Sequence, residues 1–332
     1  MKRKTLVSIL IFCFGIFLIQ SCNTKKSGLP HSTGKTLEII VVTNNKAQWN
    51  GAIGDTIKNF FGQEQVGLPQ SEPLFSMFNI PEEAFIKMYQ SNRDILIVDI
   101  SDNVTTAQIE NKKDLWASPQ RVIKISAPDN ESFFKIFKEN KAGIMELFNQ
   151  VERERMINAF KSAENVKIKN ALLDQFNFSL VLPSAYKLAV RDKDFMWIRK
   201  ESLKDSQALL IYSYPYTQTE SFDKSRIIDI RNQMTRRYVP GPSEGSFMKV
   251  ADQYIKPQTK EINFNGLFAI ETRGLWETEG DYMGGPFLSY TLVDEASNRV
   301  ITLDSYVYAP SQNKRDLLKQ LEAILYSFKM KE

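Results

Sequence analysis

The sequence predicts an α+β protein in which an N-terminal α/β layer is followed by an antiparallel sheet covered by helices. The first half alternates β-branched runs with helix-like segments, which is typical of parallel strands and their crossover helices. The second half has longer strand-like runs separated by polar turns, which indicates antiparallel hairpins. The chain ends in an amphipathic segment, and such a helix needs a sheet face to cover.

The elements of the first half follow from apolar runs and helix-start signals. Leu37–Thr43 and Asp94–Ile100 are continuous apolar runs, as expected for strands buried on both faces. A helix is expected at about 54–61, and another begins at Pro81, because proline suits the first helical turn and acids follow it. Further strands are expected at 74–80 and 121–126.

A long charged segment from Glu131 to about Glu164 has apolar residues at roughly helical spacing, and Gly143 is a candidate break in this helix. Lysine, asparagine and glutamate cluster near 165–175, which places a domain boundary there. We therefore divide the body into an α/β domain at 37–168 and an α+β domain at 169–332.

The second half is richer in strands. Residues 188–200 and 208–216 are expected to pair, and a helix follows at about 223–238. The final helix has Leu317, Leu321, Ile324 and Phe328 along one side. Other strands are expected at 247–254, at 261–277, and in a hairpin of 286–293 with 300–309.

The N-terminus has the features of a secretory signal. Lys2, Arg3 and Lys4 precede a mostly apolar run, Leu6–Ile19, that is too short to span a bilayer stably. Ser21-Cys22 closes this run and resembles a bacterial lipobox. The resemblance implies cleavage after residue 21 and attachment of acyl chains such as palmitate to Cys22, the predicted lipid attachment site. A plain signal peptide is the alternative.

Cleavage would change the charge and the thiol content. Removing 21 of the 332 residues takes three of the 43 basic residues and no acid, so 40 basic residues face 39 acidic ones. This near-neutral balance gives no support for nucleic acid as a partner. Cys13 leaves with the leader and lipid consumes the sulfur of Cys22, so no thiol is left for a disulfide, a metal or a nucleophile.

Residues 22–36 are expected to be the lipidated cysteine and a flexible tether, because they are rich in Lys, Ser, Thr, Gly and Pro. Asn23, rather than an aspartate, follows the cysteine, and no acidic run comes after it. Lipoprotein sorting patterns therefore favour the outer membrane and its periplasmic face, with the lipid as the membrane contact.

Histidine content argues against several catalytic sites. The only histidine, His31, lies in the tether, so a Ser-His-Asp triad and a two-histidine metal site lack their central residue. Gly241–Gly245 fits G-x-S-x-G but follows a helix and Val239-Pro240, which favours a tight loop. Gly51–Thr56 follows a strand without a P-loop pattern, which favours a plain βα connection. No cofactor and no metal site are predicted.

The densest group of polar and aromatic residues is Glu271–Tyr290. In a strand over 271–279, Glu271, Arg273, Glu277 and Glu279 share one face and Trp276 takes the other. A solvated face with an Arg–Glu pair is the favoured interpretation. Binding of a cation or sugar and carboxylate-based glycoside hydrolysis stay open. The weak catalytic candidates are Glu277, Glu279 and Asp281, and the weak ligand-binding candidates are Arg273, Trp276 and Tyr282.

The strings GLPHSTGK, GLPQSEP, RGLWE, GGPFLSY and YVYAPSQNKRDLLKQLEAILYSF carry a family resemblance. With them, the chain resembles a lipoprotein family of the Bacteroidetes known only as a domain of unknown function, DUF4837. The resemblance implies a lipidated Cys22 and an envelope location, and it implies no activity. At the level of fold, the second half is similar to PsbP-like or Mog1-like domains.

These observations predict a non-enzymatic binding or scaffolding lipoprotein at the periplasmic face of the outer membrane, with an envelope protein or glycan as partner. Two alternatives stay open. One is a carboxylate-dependent enzyme acting on envelope glycans, and the other is a lipid carrier with an apolar cavity.

Overall fold

The first sheet has five strands in the order β2-β1-β3-β5-β4, of which only β4 runs antiparallel to its neighbour. The strands are β1 (Glu38–Thr43), β2 (Ser76–Pro81), β3 (Asp94–Ile100), β4 (Gln108–Lys113) and β5 (Arg121–Ala127). The structure, a computed structural model, describes residues 28–217 and 219–331. The predicted leader and Cys22 therefore lie outside the described residues.

Two helices cover one face of this sheet and enclose an aromatic core. The helices of the first half are α1 (Lys46–Asn50), α2 (Ala52–Phe61), α3 (Lys87–Gln90) and α4 (Asn130–Lys161). Phe61 of α2 and Phe137 and Phe148 of α4 meet edge-on beneath β1 and β3. Gly143 does not divide α4, because it lies on the exposed side and one glycine costs only about 1 kcal/mol relative to alanine.

The prediction of a helix that begins at Pro81 is wrong. Pro81 ends β2, a short 3₁₀ turn follows at Glu82–Ala84, and only one helical turn forms at α3. Phe85 and Tyr89 instead cover the second face of the sheet, where they pack on buried residues such as Ile80 and Val122. Packing against the sheet thus overrides the local helix signal.

The second sheet has eight antiparallel strands in the order β10-β12-β13-β14-β9-β8-β7, with β11 also paired to β12. Its strands are β7 (Lys187–Asp192), β8 (Phe195–Glu201), β9 (Ser206–Pro215), β10 (Phe247–Val250), β11 (Gln258–Phe264), β12 (Leu267–Glu279), β13 (Gly284–Asp294) and β14 (Arg299–Tyr308).

Helices cover both faces of the second sheet. They are α5 (Val166–Phe176), α6 (Lys224–Tyr238) and α7 (Arg315–Tyr326). Helices α5 and α7 pack on one face with Leu288 and Leu303, and α6 packs on the other with Phe287 and Tyr306. A small sheet of β6 (Phe178–Ser179) and β15 (Lys329–Met330) holds the C-terminal segment beside α5.

The α+β class is confirmed, with a mostly parallel sheet followed by an antiparallel sheet between helices. Helix α5 fills the segment that the sequence marks as a boundary, and its Ile168, Leu172 and Phe176 join the second core. The predicted division between 168 and 169 falls within this helix. Helix α4 packs against α7 and so connects the two halves.

Candidate functional site

Strand β12 carries most of the polar residues that the sequence singled out, and its pairing with β13 runs without a bulge. Trp276 faces the α6 side and is buried, and its indole Nε1 donates a hydrogen bond to the Val307 carbonyl at 3.2 Å. Gly285 makes room for this contact, because a Cβ there would lie 2.1 Å from the same carbonyl oxygen. Trp276 is therefore a core residue and is not presented to a ligand.

The three weak catalytic candidates lie at the end of β12 and in the turn after it. Glu277 accepts hydrogen bonds from Gln253 at 2.8 Å, and both Glu277 and Glu279 form ion pairs with Lys249. Asp281 accepts a 2.6 Å hydrogen bond from the Ser243 hydroxyl, which holds the pKa of Asp281 below its ordinary value.

Each of these three surface carboxylates therefore has a hydrogen-bond or ion-pair partner of its own. Ser243, the central residue of the G-x-S-x-G string, is one of these partners and lies in an exposed loop. Tyr282 is fully exposed at the tip of the turn. The structure thus brings Glu277 and Glu279 together through Lys249 and places Tyr282 apart from them.

Arg273 lies elsewhere, in a cleft of about 740 Å³ between the two halves of the molecule. The first half contributes α4 and the loop at residues 63–66, and the second half contributes β11, β12 and α7. Charged side chains from both halves converge in this cleft, and we therefore take it as the candidate site.

Glu322 of α7 is the centre of the charged network in the cleft. Its carboxylate lies 2.7 Å from Lys319 Nζ, 3.1 Å from Arg273 Nη2 and 3.4 Å from Arg153 Nη1. Burial alone would raise the pKa of Glu322, but the three cations outweigh burial and hold the pKa well below its ordinary value. Glu322 is therefore ionised at neutral pH and joins α4, β12 and α7 by charge.

Two further acids share the cations of Glu322. The Glu271 carboxylate forms a bidentate ion pair with the Arg273 guanidinium, with contacts of 2.9 and 3.1 Å. It also accepts a hydrogen bond from the Tyr290 hydroxyl at 3.2 Å. Arg153 pairs with Glu146. With Glu322, Glu271 and Glu146 against Arg153, Arg273 and Lys319, the network carries no net charge.

Further contacts hold the side chains of the network in place. The guanidinium of Arg153 stacks on the Tyr326 ring at 4.0 Å, and Lys319 Nζ donates to Asn149 Oδ1 at 2.7 Å. Burial raises the pKa of Tyr326 to about 12, so its hydroxyl stays protonated at neutral pH. These contacts fix side chains from both halves before any ligand enters.

Strand β11 forms one wall of the cleft and is the edge of the second sheet at this point. Asn265 and Gly266 join it to β12 with φ of 54° and 89°, the geometry of a two-residue type I′ turn. The pair that flanks such a turn is hydrogen-bonded, and hydrogen-bonded pairs then alternate along the strands. The backbone N–H and C=O of Thr259, Glu261 and Asn263 therefore point away from β12.

That outer edge is open. Within residues 28–217 and 219–331, no strand pairs with β11 except β12. Residues 258–261 are exposed, and Lys260 lies opposite Glu271 in the register. The cleft thus presents paired charges on one side and free backbone groups on the other.

Sequence reasoning identified Arg273 and Glu271 but missed Glu322, Lys319 and Arg153. A signal was present in α7, where Lys319 and Glu322 lie three residues apart directly beside the apolar stripe. When a helix covers a sheet, a charged pair directly beside its apolar stripe is at least half-buried. Arg153 gave no comparable signal, because its burial depends on the packing of α4 against α7.

No group of three or more His, Cys, Asp or Glu side chains among the described residues is placed to hold a metal ion. No helix in the same part of the chain has the length and apolar character needed to cross a membrane.

Family models match both halves. Residues 165–327 match DUF4837, a domain of unknown function, and residues 32–161 match a second domain of unknown function, DUF8532. A search among curated proteins finds no match.

Several solved structures show a limited likeness to the chain. The Ran-binding protein Mog1p of Saccharomyces cerevisiae is 7% identical with a TM-score of 0.32, and the match covers 47% of this chain and 91% of that one. LpqN, described as involved in cell envelope biogenesis of Mycobacterium tuberculosis, is 11% identical with a TM-score of 0.28, covering 46% and 82%.

Proposed function

Residues 165–327 belong to DUF4837, a family without an assigned activity, and from the site itself we propose that this protein is a lipid-anchored, non-enzymatic binding protein of the cell envelope. Cys22 would carry the lipid, and the body would work at the periplasmic face of the outer membrane. The ligand would be an extended segment of an envelope protein, bound in the cleft between the two halves.

The observation that carries this proposal is the open edge of β11 on the cleft. An extended peptide can add itself to such an edge, because its backbone supplies the hydrogen-bond partners that Thr259, Glu261 and Asn263 lack. Alternate side chains of the peptide would then face the charged wall formed by Glu271, Arg273 and their partners.

The charge of the cleft supports a peptide over the alternatives. A network of three cations and three anions suits a ligand that carries both signs, as a peptide does, and does not favour the acyl chain of a lipid carrier. For the enzymatic alternative, Glu277 and Glu279 already share Lys249, which favours a structural pair over a general acid.

Lipid attachment is tested by metabolic labelling. Cells expressing the full chain should incorporate labelled palmitate into the wild-type protein and lose this label in Cys22→Ser. Mass spectrometry of the N-terminal peptide should place the acyl groups on residue 22. An unlabelled wild-type protein would remove the membrane part of the proposal.

Strand addition is tested by a matched pair of substitutions at Glu261. Glu261→Pro removes an outward N–H, and proline is tolerated on an edge strand when its nitrogen faces outward. Glu261→Ala loses the same side chain but keeps the donor. With a photo-crosslinking amino acid at Lys260 in intact cells, the proline variant should lose the crosslinked envelope protein and the alanine variant should retain it. Equal crosslinking in both variants would refute strand addition.

The remaining alternatives have their own measurements. Turnover of peptidoglycan or envelope glycans that is lost in Glu277→Gln and Glu279→Gln would establish the carboxylate-dependent enzyme. A lipid found by mass spectrometry of gently extracted protein, in addition to the acyl groups on Cys22, would establish the lipid carrier.

A further inference from the structure

Exposed apolar side chains gather at the end of the molecule where the described chain begins. Leu29, Phe78, Ile86, Met88 and Leu115 are between 38% and 64% exposed, and we call them the tether-side patch. The ring of Phe78 lies 6.4 Å from that of Tyr89, which belongs to the same short segment as Ile86 and Met88. Apolar residues in such a group mark a contact surface.

The patch is continuous through the thin layer on the second face of the first sheet. Phe85 meets Trp116 edge-on at 5.7 Å, and Leu115 directly precedes Trp116. Phe85, Tyr89 and Trp116 are only partly buried, although they cover the second face of a mostly parallel sheet. Such faces are normally covered by full helices, so this one has room for an external partner.

The N-terminal segment is fixed beside the patch by backbone hydrogen bonds. Ser118 N donates to the Pro30 carbonyl at 2.9 Å, and Ser32 N donates to the Ser118 carbonyl at 3.2 Å. Thr33 N donates to the Ser91 carbonyl at 2.8 Å, and the Ser91 hydroxyl donates to the Met88 carbonyl at 3.0 Å. The chain therefore leaves the body between the two loops that carry the patch.

The length of the remaining chain sets the distance to the anchor. Cys22 precedes Gly28 by six residues, and six extended residues span at most about 20–22 Å. An acyl anchor on Cys22 would hold this end of the molecule within that distance of the lipid.

We infer that the tether-side patch inserts into the lipid surface and orients the body on the bilayer. The inference rests on the proposed lipid attachment to Cys22. Its occupant is the lipid interface, because the exit point of the chain places the patch on the side that faces the anchor. Lys87 is offset by Glu82 and Glu83 in the same segment, so apolar contact rather than charge drives the insertion.

The thiol content of the chain provides a direct test. The processed chain has no cysteine other than Cys22, so a full-length Met88→Cys protein, produced with its own leader and reconstituted into phosphatidylcholine vesicles, can carry one environment-sensitive fluorophore. Tyr282→Cys is the matched control, because Tyr282 is fully exposed on the second half.

The emission of the probe at residue 88 is compared between vesicles and detergent-free buffer that contains a quencher. In vesicles, this emission should shift to the blue and rise several-fold. The probe at residue 282 should show neither change. The shift should persist when anionic lipid is added and when salt is raised. A probe at residue 88 that stays water-exposed while Cys22 is lipidated would overturn the inference and leave the anchor intact. A shift produced only by an added envelope protein would also overturn it, since the patch would then dock a protein.

Failure of the anchor itself has a separate signature. Wild-type protein should take up no fluorophore, because lipid occupies the sulfur of Cys22. Labelling of the wild-type protein would therefore show a free thiol at Cys22 and refute the lipid attachment. Met88 is 64% exposed, so its replacement by cysteine should leave the fold unchanged, and circular dichroism would check this.

Discussion

Removing the charge of Glu322 should destabilise the protein strongly, although it deletes no apolar contact. In Glu322→Gln, Arg273 keeps Glu271 and Arg153 keeps Glu146, so only Lys319 loses its sole acidic partner. Breaking a buried ion pair costs about 3–5 kcal/mol, and because two of the three cations stay paired we expect the lower end, about 3 kcal/mol.

The assay is urea unfolding at pH 7, followed by far-ultraviolet circular dichroism and tryptophan fluorescence. With a slope of about 3 kcal/mol per molar urea, the midpoint of Glu322→Gln should fall by about 1 M. Glu279→Gln is the matched control, because it removes an exposed carboxylate from an ion pair with Lys249 and should shift the midpoint little. Adding Lys319→Met to Glu322→Gln should restore part of the loss, since no unpaired cation is then left.

The pH dependence gives an independent check. The pKa of Glu322 is lower in the folded protein than in the unfolded chain, so its contribution is present above about pH 4.3 and is lost as the pH falls towards the folded pKa. Each pH unit below about 4.3 should remove about 1.4 kcal/mol from the difference in unfolding free energy between wild type and Glu322→Gln. Equal midpoints for the two proteins at pH 7, or a difference that does not shrink towards pH 3, would refute the reasoning.

Three further predictions concern buried and surface carboxylates. Burial raises the pKa of Asp94 to about 8, so the folded protein holds a proton that the unfolded chain releases above about pH 4. The urea midpoint of the wild-type protein should therefore fall as the pH rises from 5 to 8. Asp94→Asn should flatten this fall. Arg231 and Asp304 form a buried pair at 2.7 Å, and burial raises the pKa of Asp304 to about 6. Asp304→Asn should therefore lower the free energy of unfolding by about 3–5 kcal/mol, measured by heat or urea, because Arg231 stays charged. Arg231→Met should lower it less, because Asp304 can take a proton. At pH 5 the loss in Arg231→Met should be smaller again. Combined Glu277→Gln and Glu279→Gln should leave crosslinking of the envelope partner unchanged, and loss of the crosslink would assign these carboxylates to binding.

The sequence predicted the parts of the fold that depend on local pattern. Continuous apolar runs located β1 and β3, and the helical stripe located α7, because strands buried on both faces and amphipathic helices have periods that are visible in the chain. Strand β4, with Asn111, Lys112 and Lys113 exposed, was missed, since a polar edge strand shows no apolar period.

The candidate site was harder to predict, because it is assembled from distant parts of the chain. The alternation of β12 correctly placed Glu271 and Arg273 away from Trp276. However, the second acid that pairs with Arg273 is Glu322 of α7. Glu322 also pairs with Arg153, which lies 169 residues earlier in the chain. Only the packing of α4 against α7 brings these charges together, and no local pattern encodes that contact.

Helix α4 links the N-terminal end of the described chain to the cleft. Within the segment that the sequence predicts as a tether, the Thr33 carbonyl accepts a hydrogen bond from Arg93 N at 3.0 Å, and Arg93 Nη1 lies 3.5 Å from Glu152 Oε1. The next residue, Arg153, pairs with Glu322 in the cleft. Two adjacent residues of α4 therefore connect the N-terminal segment, residues 30–33, to the proposed peptide site through direct contacts. A lipid anchor at Cys22 and a patch in the bilayer would consequently hold the open edge of β11 at a fixed distance from the membrane, where it could select partners by their reach as well as by their sequence.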